Sequence, residues 1–69
     1  EITLECGYRL DLIVEDKVII EIKSVESIAA VHQKQLLTYL KVTGLKLGLL
    51  VNFNEALIKN GIQRIVNKL

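Results

Sequence analysis

Two neighbouring runs of aliphatic residues constrain the fold of this chain most strongly. Residues 8–14 alternate polar and apolar side chains, and residues 18–23 are largely β-branched. Both patterns are typical of β-strands. The three residues between them, Glu15-Asp16-Lys17, are all charged, which indicates a turn. The sequence therefore predicts an antiparallel hairpin in this part of the chain.

The second run places charged residues among apolar ones. Side chains two residues apart on a strand share a face, so Ile19, Glu21 and Lys23 point the same way. Directly opposed residues of an antiparallel pair also share a face. A three-residue loop, or a bulge, therefore places Asp11 opposite Glu21, whereas a plain two-residue loop would put the two carboxylates on opposite faces.

Two converging carboxylates with an ammonium beside them are typical of a metal-dependent hydrolytic site. The carboxylates repel each other unless a cation lies between them, and carboxylate and carbonyl oxygens are the natural ligands of Mg²⁺. Asp11, Glu21 and the carbonyl of Ile22 are the candidate ligands for Mg²⁺ or Mn²⁺. Lys23 is the candidate catalytic group that orients or deprotonates a water. The spacing alone favours a solvated strand face that carries cross-strand ion pairs.

The hydrophobic period changes after residue 27. Apolar and small side chains recur at helical spacing from about residue 28 to residue 43, on one broad face: Ile28, Val31, Leu36, Leu40 and Thr43. Ser27 is the predicted N-cap, and Gly44 stands where a helix C-terminal glycine belongs. Residues 45–53 predict a buried strand, residues 54–61 a turn region with a short helical or extended piece, and residues 62–66 a strand at the sheet edge.

Residues 1–6 predict a further short strand at the start. The resulting order, β-β-β-α-β followed by a tail, predicts an α/β fold with a small mixed β-sheet and a packed crossover helix. The 69 residues allow one domain, 1–69. So short a chain usually needs a partner or a staple, and its one cysteine, Cys6, cannot form an internal disulfide. We expect Cys6 to be a small buried hydrophobe, and the chain to form a homo-oligomer or to lack an N-terminal segment of its core. No apolar run approaches the length of a membrane span.

Polar side chains on the predicted helix form a second cluster. His32, Gln35 and Tyr39 follow one stripe at spacings of three and four residues. Gln35 and Tyr39 are candidates for contacting a phosphate or bracing the metal ligands, although their spacing alone favours a surface glutamine and a packed tyrosine. The first 26 residues are net acidic and the rest net basic. This division suits a site for cations beside one for phosphates, and ordinary surface charge explains it equally well. His32 and Arg64 are candidate contacts to a nucleic-acid backbone.

Taken in order, these residues resemble a known family. Asp11, then Glu21-Ile22-Lys23, then Gln35 and Tyr39 resemble the PD-(D/E)XK nuclease superfamily, and the Gln-x-x-x-Tyr pair resembles its RecB-like exonuclease branch. Three longer segments look like the small bacterial proteins called the GxxExxY family: DLIVEDKVIIEIKSVE, QLLTYLKVTGLKLGLLVNFN and GIQRIVNKL.

The resemblance implies a restriction-endonuclease-like α-β-β-β-α-β core, a divalent metal and phosphodiester cleavage in nucleic acid, with DNA as the expected substrate and the cytoplasm as the expected location. It implies that Asp11 and Glu21 bind the metal, that Lys23 is the catalytic lysine, and that Gln35 and Tyr39 are the accessory pair. The Gly-x-x-Glu-x-x-Tyr segment is absent, so we expect a truncation that removes the first helix. The alternatives are an inactive nuclease-fold module for binding or assembly, and a plain α/β domain whose motif arises by chance.

Overall fold

The computed structural model describes residues 2–4, 7 and 9–68. Within these residues the chain forms six strands and one α-helix: β1 (Ile2–Thr3), β2 (Arg9–Leu10), β3 (Leu12–Val14), β4 (Val18–Lys23), α1 (Ala30–Thr43), β5 (Leu47–Asn52) and β6 (Ile62–Val66). A short 3₁₀ helix, Ile58–Gly61, precedes β6. Cys6 lies outside the described residues. Among the described helices, none is long and apolar enough to cross a membrane.

Four strands form the main sheet in the order β3-β4-β5-β6. β3 is antiparallel to β4, β4 is parallel to β5, and β5 is antiparallel to β6. Helix α1 makes the connection between the two parallel strands, as parallel pairing requires. The mixed sheet with its crossover helix confirms the predicted α/β fold, and β6 lies at the sheet edge as expected.

The turn between β3 and β4 sets the strand register that the candidate site requires. Glu15 and Asp16 both have positive φ angles, 52° and 55°, and the N–H of Lys17 donates to the carbonyl of Val14 at 3.0 Å. Val14 nevertheless pairs with Val18. The connection is thus a tight turn on two residues with left-handed backbone, followed by Lys17 as an extra bulge residue. The predicted register, with Val14 opposite Val18, is confirmed.

The prediction of one continuous strand over residues 8–14 is wrong. The strand breaks at Asp11, and its first part, β2, pairs with β1 instead of β4. The break occurs because the backbone N–H of Asp11 donates to the side chain of Glu21, and the N–H of Ile22 donates to the side chain of Asp11. Side-chain acceptors thus replace the ladder at this point, and Leu10 enters the hydrophobic core.

The start of α1 also differs from the prediction. The N-cap is Ala29, and Ser27 lies outside the helix. Nδ1 of His32 accepts the N–H of Ala29 at 2.9 Å, so a side chain from the first helical turn performs the capping. Val31, expected on the apolar face, is 66% exposed; the buried helix residues are Leu36, Tyr39 and Leu40. Gly44 ends the helix with a left-handed φ of 77°, as predicted.

The two faces of the main sheet have different environments. The face beneath α1, here called the covered face, carries four side chains that are 0–6% exposed: Ile19, Glu21, Leu50 and Asn52. Ile19 and Leu50 belong to the core with Leu36 and Leu40. The opposite, open face presents apolar side chains that are exposed or half-buried: Leu12, Val14, Val18, Ile20, Ile22, Leu47, Leu49, Val51, Ile62 and Val66. The candidate site therefore lies on the side of the sheet that the helix protects.

Candidate metal and catalytic site

Two hydrogen bonds link Asp11 to β4, one to Glu21 and one to its neighbour Ile22. The N–H of Asp11 donates to Oε1 of Glu21 at 3.2 Å, and the N–H of Ile22 donates to Oδ2 of Asp11 at 2.8 Å. Each carboxylate thus accepts a backbone N–H from the opposite strand. Such charge-assisted bonds fix the position of an acceptor. The structure therefore brings Asp11 and Glu21 together, as the register predicts.

Glu21 is 6% exposed and lies beneath the helix. Burial raises its pKa above the ordinary value; the N–H of Asp11 lowers the pKa, the charge of Asp11 raises it, and the charge of Lys23 lowers it. Desolvation dominates because water no longer stabilises the charged form. The site thus holds an acid whose ionised form has a free-energy cost, which a nearby cation would offset.

Lys23 and Ile22 extend this site along β4. Lys23 lies on the covered face two residues beyond Glu21 and is half-buried, and its charge acts on the Glu21 carboxyl. The N–H of Ile22 points towards Asp11. Because the N–H and C=O of a strand residue point to the same neighbouring strand, the carbonyl of Ile22 also lies on the Asp11 side.

These oxygen donors fit a hard divalent cation. Mg²⁺ is commonly bound through one or two carboxylates and keeps several waters, and each of the two carboxylates uses only one oxygen in the bonds described above. Within residues 2–4, 7 and 9–68, no group of three or more His, Cys, Asp or Glu side chains could hold a metal ion. A cation here would depend on two carboxylates, a backbone carbonyl and water.

Gln35 and Tyr39 contact each other on α1. Nε2 of Gln35 donates to the Tyr39 hydroxyl at 2.8 Å. Tyr39 is 6% exposed and packs in the core, whereas Gln35 is exposed. Since the helix lies over the covered face, the pair is on the same side of the sheet as Glu21. The predicted pairing of the two side chains is present.

The two candidate contacts to a nucleic-acid backbone, His32 and Arg64, lie in different parts of the structure. Nδ1 of His32 is occupied by the helix cap, so the contact that the structure shows for this side chain is structural. Arg64 alternates with Ile62 and Val66 on β6 and therefore projects from the open face. The sheet separates Arg64 from Glu21, so the structure does not bring these two side chains together.

Sequence reasoning missed Asn52. This residue ends β5 directly beside Lys23 in the parallel register, and its side chain is 1% exposed and bonded to Val25. The available signal was a polar residue at the carboxyl end of an apolar parallel strand, where functional side chains often gather. The interpretation of residues 45–53 as one buried apolar run obscured this polar residue among its apolar neighbours.

The whole arrangement can be compared with known proteins. A family model described as the PD-(D/E)XK nuclease superfamily matches residues 1–65. No curated protein matches the chain, and no solved structure matches it. The family match includes Asp11, the Glu-x-Lys strand and helix α1. The chain belongs to the PD-(D/E)XK nuclease superfamily.

Proposed function

We propose that this chain is a metal-dependent nuclease that hydrolyses phosphodiester bonds in DNA, with Mg²⁺ or Mn²⁺ as its cofactor. The observation that carries the proposal is the Asp11–Glu21 pair, which two backbone hydrogen bonds hold in place beside Lys23. A buried carboxyl with a raised pKa beside a second carboxylate is costly for a purely structural site. The same arrangement suits a site that gains its free energy when a cation binds.

Each residue has a distinct task in this proposal. Asp11, Glu21 and the carbonyl of Ile22 hold the cation, which when bound lowers the pKa of a water and stabilises the charge on the phosphoryl group. Lys23, on the same face of β4, orients the attacking water or stabilises the developing negative charge. Burial beneath the helix strengthens these electrostatic interactions because the surroundings are less polar than water.

The helix contributes a supporting layer. The hydrogen bond between Gln35 and Tyr39 fixes the orientation of the glutamine amide, and we assign the pair to bracing the metal ligands or contacting a phosphate. Nε2 of His32 is the nitrogen left to meet a nucleic-acid backbone, since Nδ1 caps the helix. Arg64 is not assigned to this site because it projects from the open face.

We assign the chain to one branch of the superfamily from the three longer segments named in the sequence analysis. Their resemblance to the GxxExxY family supports that branch of the superfamily, and with it a bacterial protein that acts in the cytoplasm. The net-basic second part of the chain, residues 27–69, is consistent with a nucleic-acid substrate.

Cleavage of linear and plasmid DNA, measured with Mg²⁺, Mn²⁺ or EDTA, tests the proposal. Glu21→Gln and Lys23→Ala should each reduce the cleavage rate by about 100-fold or more, because each removes a group that acts on the transition state. Glu26→Gln and Lys17→Ala are matched controls, since both residues are exposed and should leave the rate unchanged. An RNA oligonucleotide assayed in parallel tests the choice of substrate.

Two results would count against the proposal. Cleavage that survives EDTA and both site variants would show that another protein or another mechanism is responsible. Metal and DNA binding without any cleavage would instead support an inactive nuclease-fold binding module.

A further inference from the structure

Asn52 holds the backbone that follows Lys23. Its Oδ1 accepts the N–H of Val25 at 3.0 Å and the N–H of Asn54 at 3.2 Å, and its Nδ2 donates to the carbonyl of Val25 at 2.8 Å. The amide of Asn52 thus pairs with both polar groups of the Val25 backbone, as a neighbouring strand would. The orientation of the amide follows from these partners, because only its oxygen can accept an N–H.

The hydrogen bonds between Asn52 and Val25, here called the clamp, lie at the end of the parallel pairing between β4 and β5. The last pair of the parallel ladder is Lys23 and Asn52, and the N–H of Phe53 donates to the carbonyl of Lys23 at 2.9 Å. Residues 24 and 25 lie outside β4 and pair with no strand in the described part of the chain. The side chain of Asn52 extends the pairing by two residues.

The energetics favour a rigid clamp. Asn52 is 1% exposed, and its three hydrogen bonds satisfy the amide oxygen and one amide hydrogen. A buried polar group costs free energy unless it is bonded, so removing either side of the clamp leaves unpaired groups in a dry environment. The position of Val25 is therefore fixed relative to β5, and with it the exit of the chain from Lys23.

We propose that Asn52 is a positioning residue that sets the placement of the Lys23 ammonium for catalysis. Its action is indirect: it holds residues 24 and 25 so that the end of β4 cannot fray, and Lys23 keeps its direction on the covered face. The metal ligands Asp11 and Glu21 have hydrogen bonds of their own and do not depend on this clamp. This inference rests on the proposed nuclease function, which gives Lys23 its task.

A second buried asparagine supplies a matched control at the opposite end of the sheet. Asn67 is 3% exposed, and its Nδ2 donates to the carbonyl of Leu45 at 3.2 Å, just before β5 begins. Replacing either asparagine with leucine keeps the number and branching of the side-chain heavy atoms and removes buried hydrogen bonds. Only Asn52 adjoins Lys23, so a difference between the two variants separates positioning from general stability.

The first test does not depend on activity. Backbone ¹⁵N relaxation and amide hydrogen exchange are measured for the wild type, Asn52→Leu and Asn67→Leu under conditions in which each is folded. In Asn52→Leu the Val25 amide should lose its protection, and the order parameters of residues 24–25 should fall below about 0.6. Asn67→Leu should leave both unchanged. Residues 23–25 as ordered in Asn52→Leu as in the wild type would overturn the proposal.

The second test measures cleavage kinetics. Asn52→Leu should lower kcat by about 10–100-fold, as expected for a misplaced catalytic group, with KM and Mn²⁺ affinity unchanged. Asn67→Leu should retain the wild-type kcat. Equal kcat in the two variants, with residues 24–25 loosened, would overturn the proposal. A wild-type protein that cleaves no DNA would instead remove the proposed function, and the relaxation data would still decide whether Asn52 holds the end of β4.

Discussion

The two faces of the main sheet differ in residue type and in surroundings. On β4, the covered face carries Ile19, Glu21 and Lys23, and the open face carries Val18, Ile20 and Ile22. The covered face packs under α1 and buries an acid; the open face leaves Ile22 48% exposed. The candidate site thus lies on the face of β4 that has fewer apolar residues. The comparison shows that helix α1 gives the site its low-polarity surroundings.

The two faces should differ most in how much stability the protein loses when a leucine is truncated. Leu50 is fully buried on the covered face, whereas Leu12 is 44% exposed on the open face. Leu50→Ala should lower the free energy of unfolding by about 3 kcal/mol, because it removes contacts and leaves a cavity. Leu12→Ala should lower it by about 1 kcal/mol or less. Urea unfolding of both variants measures the difference, and equal losses would contradict the assignment of the faces.

Gly48 tests how closely α1 approaches the covered face. A Cβ atom at this position would lie 2.8 Å from Cγ and Cδ2 of Leu36, which is too close. Gly48→Ala should therefore destabilise the protein by about 2 kcal/mol through overpacking. Combining it with Leu36→Ala should recover part of that loss in a double-mutant cycle. Additive effects of the two substitutions would show that the helix does not press on this glycine.

Because Glu21 is buried on the covered face, the free energy of unfolding should depend on pH. Because the pKa of Glu21 is raised in the folded state, this group favours folding most below the unfolded-state pKa, and the contribution is lost as pH rises through the folded pKa. Without metal, Glu21→Gln should therefore be more stable than the wild type at pH 7, and the gain should shrink towards acid pH. Urea midpoints across this range measure it, with Glu26→Gln as control. A gain that grows towards acid pH would contradict the sign.

The smallest comparison uses one substitution on both faces of β4. Ile19 is fully buried and Ile22 is 48% exposed. Ile19→Val should cost about 1 kcal/mol, and Ile22→Val should stay within about 0.5 kcal/mol of the wild type. The two variants lose the same methylene group, so the difference in urea midpoint reports burial directly. A larger loss for Ile22→Val would show that the open face is protected in solution.

Much of this arrangement follows from the period of the sequence. The alternation on β4 and the parity of the turn predict that Asp11 faces Glu21, and the structure confirms that register. Gly44 ends the helix as its position predicts. These features depend on neighbouring residues or on the number of residues in the turn, so they can be predicted from a single sequence.

Other features depend on contacts between distant residues. The break at Asp11 arises because two side chains, ten residues apart, compete successfully with the strand ladder. The helix begins at Ala30 because the side chain of His32 caps it. Capping propensity favours Ser27 and gives no sign of this histidine contact. The clamp at Asn52 joins residues 27 positions apart. Periodicity carries no information about such pairings.

The most direct test of the central claim is Mn²⁺ binding, measured by calorimetry at pH 7 on the wild type, Glu21→Gln and Glu26→Gln. If Asp11 and Glu21 hold a divalent cation, the wild type and Glu26→Gln should each bind Mn²⁺ at a site that Glu21→Gln lacks. Wild-type affinity should fall as the pH is lowered, because protons compete for the Glu21 carboxylate. Equal binding by Glu21→Gln and the wild type, or no binding by any of the three, would contradict the claim.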